Sequence, residues 1–326
     1  MTVYFDKANL EAFLLTKAQA GHAETMKMLR GEVNIAVNCS STEALSHDLL
    51  RPFVMTMTTG QKNTKMRFLP ATYPDRPISP TFYQQLQANR RSVVLAVDAE
   101  VGACKAEGMC LIGQVGDELP ELGRLYRGDK YKFTTPLILG QERDQFSGWD
   151  KLTKHVLPFH DLIISDRYLL GERDLFEHNY RGMLEALTKG RRGKINLVLL
   201  SLLPKDAEAV TEYQWLRDLT DEIVTGTTGM KPNFTVVWGD YKTDVRHDRH
   251  IITNYQWYSS GDSFLYFRPN GSLRTHGDTL TVHSLADAEA RAAVDTMLER
   301  MQANIKDMLS ITNFVQGDRV SSFLTF

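Results

Sequence analysis

The feature that most constrains this chain is a repeated change of hydrophobic period between residues 160 and 240. His160-Asp161-Leu162-Ile163-Ile164-Ser165-Asp166-Arg167-Tyr168 carries an apolar run, and residues 195–200 and 234–238 carry two more. Between them the apolar residues recur at helical spacing. Leu175, Met183, Leu184 and Leu187 form one set over residues 172–188, and Val210, Tyr213, Leu216 and Ile223 form another over 206–224. Short continuous apolar runs suit strands buried on both faces, and the helices between them supply the cover. Strand–helix–strand–helix–strand predicts an α/β fold, a mixed sheet flanked by helices.

A weaker form of the pattern precedes it. Residues 3–5, 33–37, 93–97 and 110–113 read as strands. Asp6 is placed to cap a helix with Leu10, Phe13 and Leu14 on one stripe, ending near Gly21. Residues 45–53 are helical in pattern and are expected to stop at Pro52. Residues 56–81 hold Gly60, Pro70, Pro74, Pro77 and Pro80, as a long surface loop or a boundary between subdomains would. A short helix through Leu152, His155 and Val156 should end at Pro158. Residues 264–267 read as a further strand. A long amphipathic helix follows over 286–309, its stripe made of Ala290, Val294, Leu298, Met301, Ile305 and Leu309. The domain expectation is an N-terminal α/β region over 1–149 and a second domain over 150–326.

Composition narrows the partners. A net charge of −2 supplies no overall attraction to nucleic acid or an anionic membrane, so phosphate contacts must come from a local basic patch. No apolar run approaches the ~20 residues of a membrane span, and the first residues lack an apolar signal core, so the expectation is a cytoplasmic protein without membrane contact. Three cysteines, Cys39, Cys104 and Cys110, without Cys-x-x-Cys spacing, fit small core residues better than a disulfide frame or a zinc site. Gly113-Gln114-Val115-Gly116 lacks the glycine density of a phosphate-cradling loop, and no cofactor is expected.

The candidate chemistry lies in Arg246-His247-Asp248-Arg249-His250-Ile251-Ile252-Thr253-Asn254, followed by Ser259-Ser260-Gly261. As a strand, it would place His247 and Arg249 on one face and Asp248 and His250 on the other. A histidine beside a fixed guanidinium suits phosphate chemistry; a basic strand end in water is the plain alternative. The stretch resembles a degenerate phospholipase-D signature, His-x-Lys, four residues, then Asp. Here His247 is followed by Arg249 in the Lys position and Asn254 in the Asp position. With the 159–168 strand, it is similar to the phospholipase-D-like domain found C-terminal to microtubule-interacting-and-transport modules and in bacterial relatives. That resemblance spans residues 150–270.

The resemblance implies His247 as nucleophile or acid, Arg249 as phosphate clamp and Asn254 as orienting group. A single motif would need a homodimer to supply a second histidine. The two altered positions favour a catalytically degenerate module recognising phosphate, nucleic acid or a nucleotide, for example as a bacterial phage-defence or accessory factor. The alternative is a dimeric phosphodiesterase or nuclease using His247. Arg246, Arg249, His250, Ser259, Ser260 and the basic turn with Arg191 and Arg192 are the candidate phosphate ligands. Tyr255, Trp257 and Tyr258 could stack on bases or fill the core. Asp161, Asp166, Asp240, Asp244 and Asp248 are carboxylates at strand ends, which suit either Mg²⁺ or turn chemistry. His276 and Asp278 have no assignable partner.

Overall fold

A computed structural model describes residues 1–59, 66–69, 78–81, 91–97, 99–126, 146–191, 193–239, 249–274 and 278–326, and the backbone of 131–134. The chain forms two compact units. One comprises Met1–Gly128 with Ser284–Arg291, the other Asp129–His283 with Ala292–Phe326. Both are α/β.

In the first unit, β1 (Thr2–Phe5), β2 (Asn34–Val37), β3 (Met66–Phe68), β4 (Val93–Leu95) and β5 (Leu111–Gly113) form one sheet of order β3-β2-β1-β4-β5. Every pairing is parallel. The described helices are α1 (Lys7–Leu15), α2 (His22–Gly31), α3 (Ser41–Ser46), α4 (Leu50–Thr59), α5 (Val101–Ala106) and α6 (Val115–Leu125). Parallel neighbours need such crossovers, which explains why β1, β2, β4 and β5 are apolar on both faces. This is the order of a doubly wound α/β sheet.

Two local expectations change here. The first helix ends at Leu15, and a second helix starts at His22 after Gly21, whose φ is +87°. A Cβ on Gly21 would lie 2.5 Å from the Leu119 carbonyl oxygen, so α2 and α6 meet where only glycine fits. Pro52 starts a helix instead of stopping one. It sits in the first turn of α4, where its missing N–H has no intrahelical acceptor to lose.

The second unit contains β6 (Tyr131–Thr134), a 3₁₀ turn (Trp149–His155), β7 (Asp161–Ser165), α7 (Arg173–Thr188), β8 (Asn196–Leu202), α8 (Ala209–Thr228), β9 (Asn233–Gly239), β10 (Arg249–Thr253), β11 (Gln256–Ser260), β12 (Thr279–Ser284) up to His283, α9 (Ala288–Met308) from Ala292 onward and β13 (Val315–Gly317). The sheet order is β13-β9-β8-β7-β10-β11-β12-β6. β7, β8 and β9 are parallel, and β10 returns antiparallel beside β7. Leu162, Ile164, Leu197, Leu199, Phe234 and Val236 share one core with Tyr180, Met183 and Leu187 of α7 and Leu216 and Ile223 of α8. Of the stripe expected on α9, Val294, Leu298, Met301 and Ile305 are buried and Leu309 is exposed. Val210, expected in the apolar set of α8, is also exposed.

Residues 264–267 do not form the strand expected of them. Phe264, Leu265, Tyr266 and Phe267 are all buried, and Phe267 makes only an isolated bridge to Leu273. The Asn179 side chain takes the place of a neighbouring strand. Its Oδ1 accepts from the Phe267 N–H at 2.9 Å and its Nδ2 donates to the Phe267 carbonyl at 2.6 Å. Burial without a ladder is possible because a side-chain amide satisfies both backbone groups.

Candidate functional site

The carboxyl ends of parallel strands are where open α/β sheets bind ligands. In the second unit that edge is Ser165, Leu202 and Gly239, joined by the first residues of β10 and the last of β11. The register sets Arg249 opposite Ser260 and His250 opposite Ser259. Four of the sequence candidates therefore meet here. Side chains alternate along the strands, however, so they divide between two faces of the sheet.

Arg249, Ser260 and Asp166 lie on the core side. Arg249 is 9% exposed; its Nη1 donates to the Gly261 carbonyl at 3.0 Å, and its Nε lies 4.0 Å from Asp166 Oδ1. Asp166 is fully buried, and its carboxylate accepts from the Ser263 hydroxyl at 2.6 Å and from the Phe264 and Tyr168 N–H groups. Burial raises the Asp166 pKa above its ordinary value, opposed by these hydrogen bonds and by Arg249. Ser260 bonds the Asp262 carbonyl at 2.7 Å and meets the Tyr266 hydroxyl. This cluster anchors the 261–264 turn and leaves Arg249 little surface for a ligand.

His250, Ser259 and Trp257 lie on the opposite face. Trp257 Nε1–H donates to His250 Nδ1 at 3.1 Å, which leaves the His250 proton on Nε2. The Trp257 ring stacks on His283 at 4.2 Å, and His283 Nε2 lies 3.3 Å from Ser259 Oγ. His250 and Trp257 line a cavity of about 670 Å³ between the carboxyl edge and α9. Ser165, Leu200 and Ser201 form its floor, and Met297, Arg300, Met301 and Asn304 its helical wall. Among the described residues no carboxylate lines it. Polar groups spaced through an apolar hollow of this size suit a small ligand with an acceptor or anionic group.

Other candidates lie elsewhere. Asn254 stands at the far end of β10, five positions or roughly 16 Å from Arg249 along the strand. It is fully buried, and its Oδ1 accepts from the His160 and Asp161 N–H groups at 2.7 and 2.9 Å. Its carbonyl pins the start of β7, a position that shares no pocket with Arg249. Arg191 is at that same amino edge, donating to the Val156 carbonyl at 2.8 Å with its guanidinium 5.5 Å from the Phe159 ring. Asp161 is also there, accepting from Asn196, the Ser322 N–H and the Ser322 hydroxyl. Asp161 and Asp166 thus stand at opposite ends of β7, and no group of three metal-ligand side chains occurs among the described residues. Tyr255 and Tyr258 are fully buried, so of the three aromatics only Trp257 reaches the cavity. Arg192, Asp240, Asp244, Arg246, His247, Asp248 and His276 lie outside the described residues.

The helical wall escaped the sequence reading. Its signal was the polar run Thr296, Arg300 and Asn304, at i, i+4 and i+8 beside the apolar stripe. A second carboxyl edge in the first unit was also missed. Asp6, Lys7, Glu11 and Asn38 line a recess of about 450 Å³ there. Asp6 accepts from the Val97 N–H at 2.7 Å and from Asn38 Nδ2 at 3.2 Å. Nearby on α1, Asn9 Oδ1 accepts from the Val115 N–H at 2.8 Å, and its buried Nδ2 has no partner among the described residues. The legible signal was Asp6-x-x-Asn9 directly after an apolar strand.

Among the described residues no helix is long and apolar enough to cross a membrane. No protein-family model matches the chain, and no curated protein does.

Proposed function

We propose that the second unit is a recognition module for a phosphate-bearing ligand, a nucleotide or nucleic acid, held in the cavity between the carboxyl edge and α9. The observation that carries this reading is the cavity itself. It sits where α/β sheets bind ligands, is lined by Arg300 with no carboxylate among its described lining residues, and presents Trp257 and His250 beside it. A guanidinium pairs with phosphate oxygens through two parallel N–H donors. Arg249, the phosphate clamp implied by the signature, is instead committed to Asp166 and Gly261. Its commitment favours binding over phosphoryl transfer at the signature strand.

The test is twofold. Single-stranded DNA and RNA oligonucleotides and nucleotides are titrated into the full chain, wild type and Arg300→Ala, and the same substrates are assayed for cleavage with EDTA and with magnesium. Binding that Arg300→Ala weakens, without cleavage, supports the reading. Cleavage that survives EDTA and disappears in His247→Ala would restore the dimeric phosphodiesterase. No binding of any phosphate-bearing ligand defeats the proposal.

A further inference from the structure

We propose that His283, which is not among the described residues lining the cavity, is a positioning residue for the ligand held there. Stacked on Trp257 and bonded to Ser259, it fixes the indole whose N–H sets where His250 carries its proton. This inference rests on the phosphate-recognition reading and assigns a further residue to that site.

The strands build the array. β11 carries Trp257 and Ser259 on one face, two positions apart. In its register with β10, His250 lies opposite Ser259 and Ile252 opposite Trp257, so Trp257 is the diagonal neighbour of His250. Diagonal pairs stand about 7–8 Å apart, within reach of a large aromatic side chain. β12 is next to β11 in the sheet, with Leu280 and Val282 in the core, so its alternation puts His283 on the face of Trp257. The Trp257 ring lies 5.7 Å from that of His250, tilted by 59°, and 4.2 Å from that of His283, stacked at 17°.

Each contact constrains the next. An indole N–H only donates, so its 3.1 Å bond to His250 Nδ1 means that this nitrogen carries no proton. The neutral ring then holds its proton on Nε2. That bond exists only while the indole keeps one orientation about its two side-chain torsions. His283 lies flat against the indole and restricts that rotation. Ser259 Oγ, 3.3 Å from His283 Nε2, holds the imidazole in turn. Trp257 and His250 line the cavity, whereas Ser259 and His283 are not among its described lining residues. A change at His283 therefore reorients part of the cavity wall without deleting a group from that wall.

The experiment takes two readings on the full chain, as wild type, His283→Ala and His283→Phe. The first is the scalar coupling across the hydrogen bond between isotope-labelled Trp257 Nε1 and His250 Nδ1, recorded at about pH 8, above the ordinary histidine value. The second is affinity for AMP and for a dodecameric oligothymidylate, by isothermal titration. Wild type is expected to show the coupling and to bind at least one of the two probes. His283→Ala should lose the coupling and weaken that probe about two- to tenfold, the contribution of one aromatic pair. His283→Phe keeps a ring against the indole and should restore both readings, a rescue that a general loss of stability does not produce. Coupling that persists in His283→Ala overturns the inference and leaves phosphate recognition standing. So does wild-type affinity in His283→Ala once the coupling is lost. Equal losses in the two variants overturn it too, because the stack is then not what positions Trp257. Wild type that binds neither probe removes the phosphate reading and this inference together.

Discussion

Arg249 and Asp166 show how a residue can resemble a catalytic group and serve the fold. The two charges sit together beneath the 261–264 turn, with the carboxylate supplied by a hydroxyl and two backbone N–H groups. Removing one partner strands the other without solvent. Arg249→Met should lower stability by about 3 kcal/mol, read as a shift of the urea midpoint at constant slope, and leave ligand affinity at the cavity unchanged. Affinity loss equal to that of Arg300→Ala would place Arg249 in the binding site after all. The pH dependence follows from the direction of the Asp166 shift. Burial raises its pKa in the folded state, so its protonated form stabilises the fold fully below the unfolded value near 3.8. That contribution is lost as pH rises through the higher folded value. The stability advantage of wild type over Asp166→Asn should therefore be larger at pH 4 than at pH 7. A profile of the opposite slope would mean that the hydrogen bonds outweigh burial.

At the scale of elements, β10 and β7 are joined at both ends by side chains. At the carboxyl edge of β7 the tie is Arg249 with Asp166, and at the amino edge it is Asn254 with two N–H groups. Asn254→Ala takes the acceptor from one buried and one half-buried N–H donor, which costs about 2–6 kcal/mol at roughly 1–3 each. Asn254→Asp keeps an acceptor there and should cost less. Parity of the two variants in chemical denaturation would show that water replaces the carbonyl. The edge strand β13 depends on Gly317, whose φ is +111° and where a Cβ would lie 2.1 Å from the Phe234 carbonyl oxygen. Gly317→Ala should detach β13, exposing β9 amides to hydrogen exchange. Unchanged protection of residues 235–237 would refute that dependence. The helical period of α9 was legible from its apolar stripe. The cavity-facing role of Met297, Arg300 and Asn304 was not, because period identifies the face that is buried and leaves open what the flanks of that face border.

At the scale of the molecule, a segment late in the chain belongs to the first unit. Arg291 donates to the carbonyls of Leu285, Ala286 and Glu32, and the Ala288 N–H donates to the Glu32 carboxylate at 2.9 Å. A fragment ending at residue 149 keeps Glu32 and loses Ala288 and Arg291, which bond it. It should unfold at a lower temperature than the same unit in the full chain, and a peptide covering 284–291 should raise its midpoint when added in excess. A fragment as stable as its counterpart in the full chain would show the segment to be dispensable.

Local pattern settled the class of fold. The strands at 161–165, 196–202 and 233–239 and the helices between them follow from where apolar residues recur, because hydrogen-bonded backbone buries side chains at a period of two or of 3.6. Buried-strand composition likewise settled that β4, β7 and β8 are covered on both faces. Tertiary structure decided which side of the sheet each candidate served. Arg249 and His250 are adjacent in sequence and separated by the sheet in space, one in the core with Asp166 and the other at the cavity with Trp257. It also decided that Asn254 binds backbone, that residues 264–267 pair with a side chain instead of a strand, and that Arg300 joins His250 across 50 residues. Those outcomes depend on contacts between distant segments, whose partners no local spacing specifies.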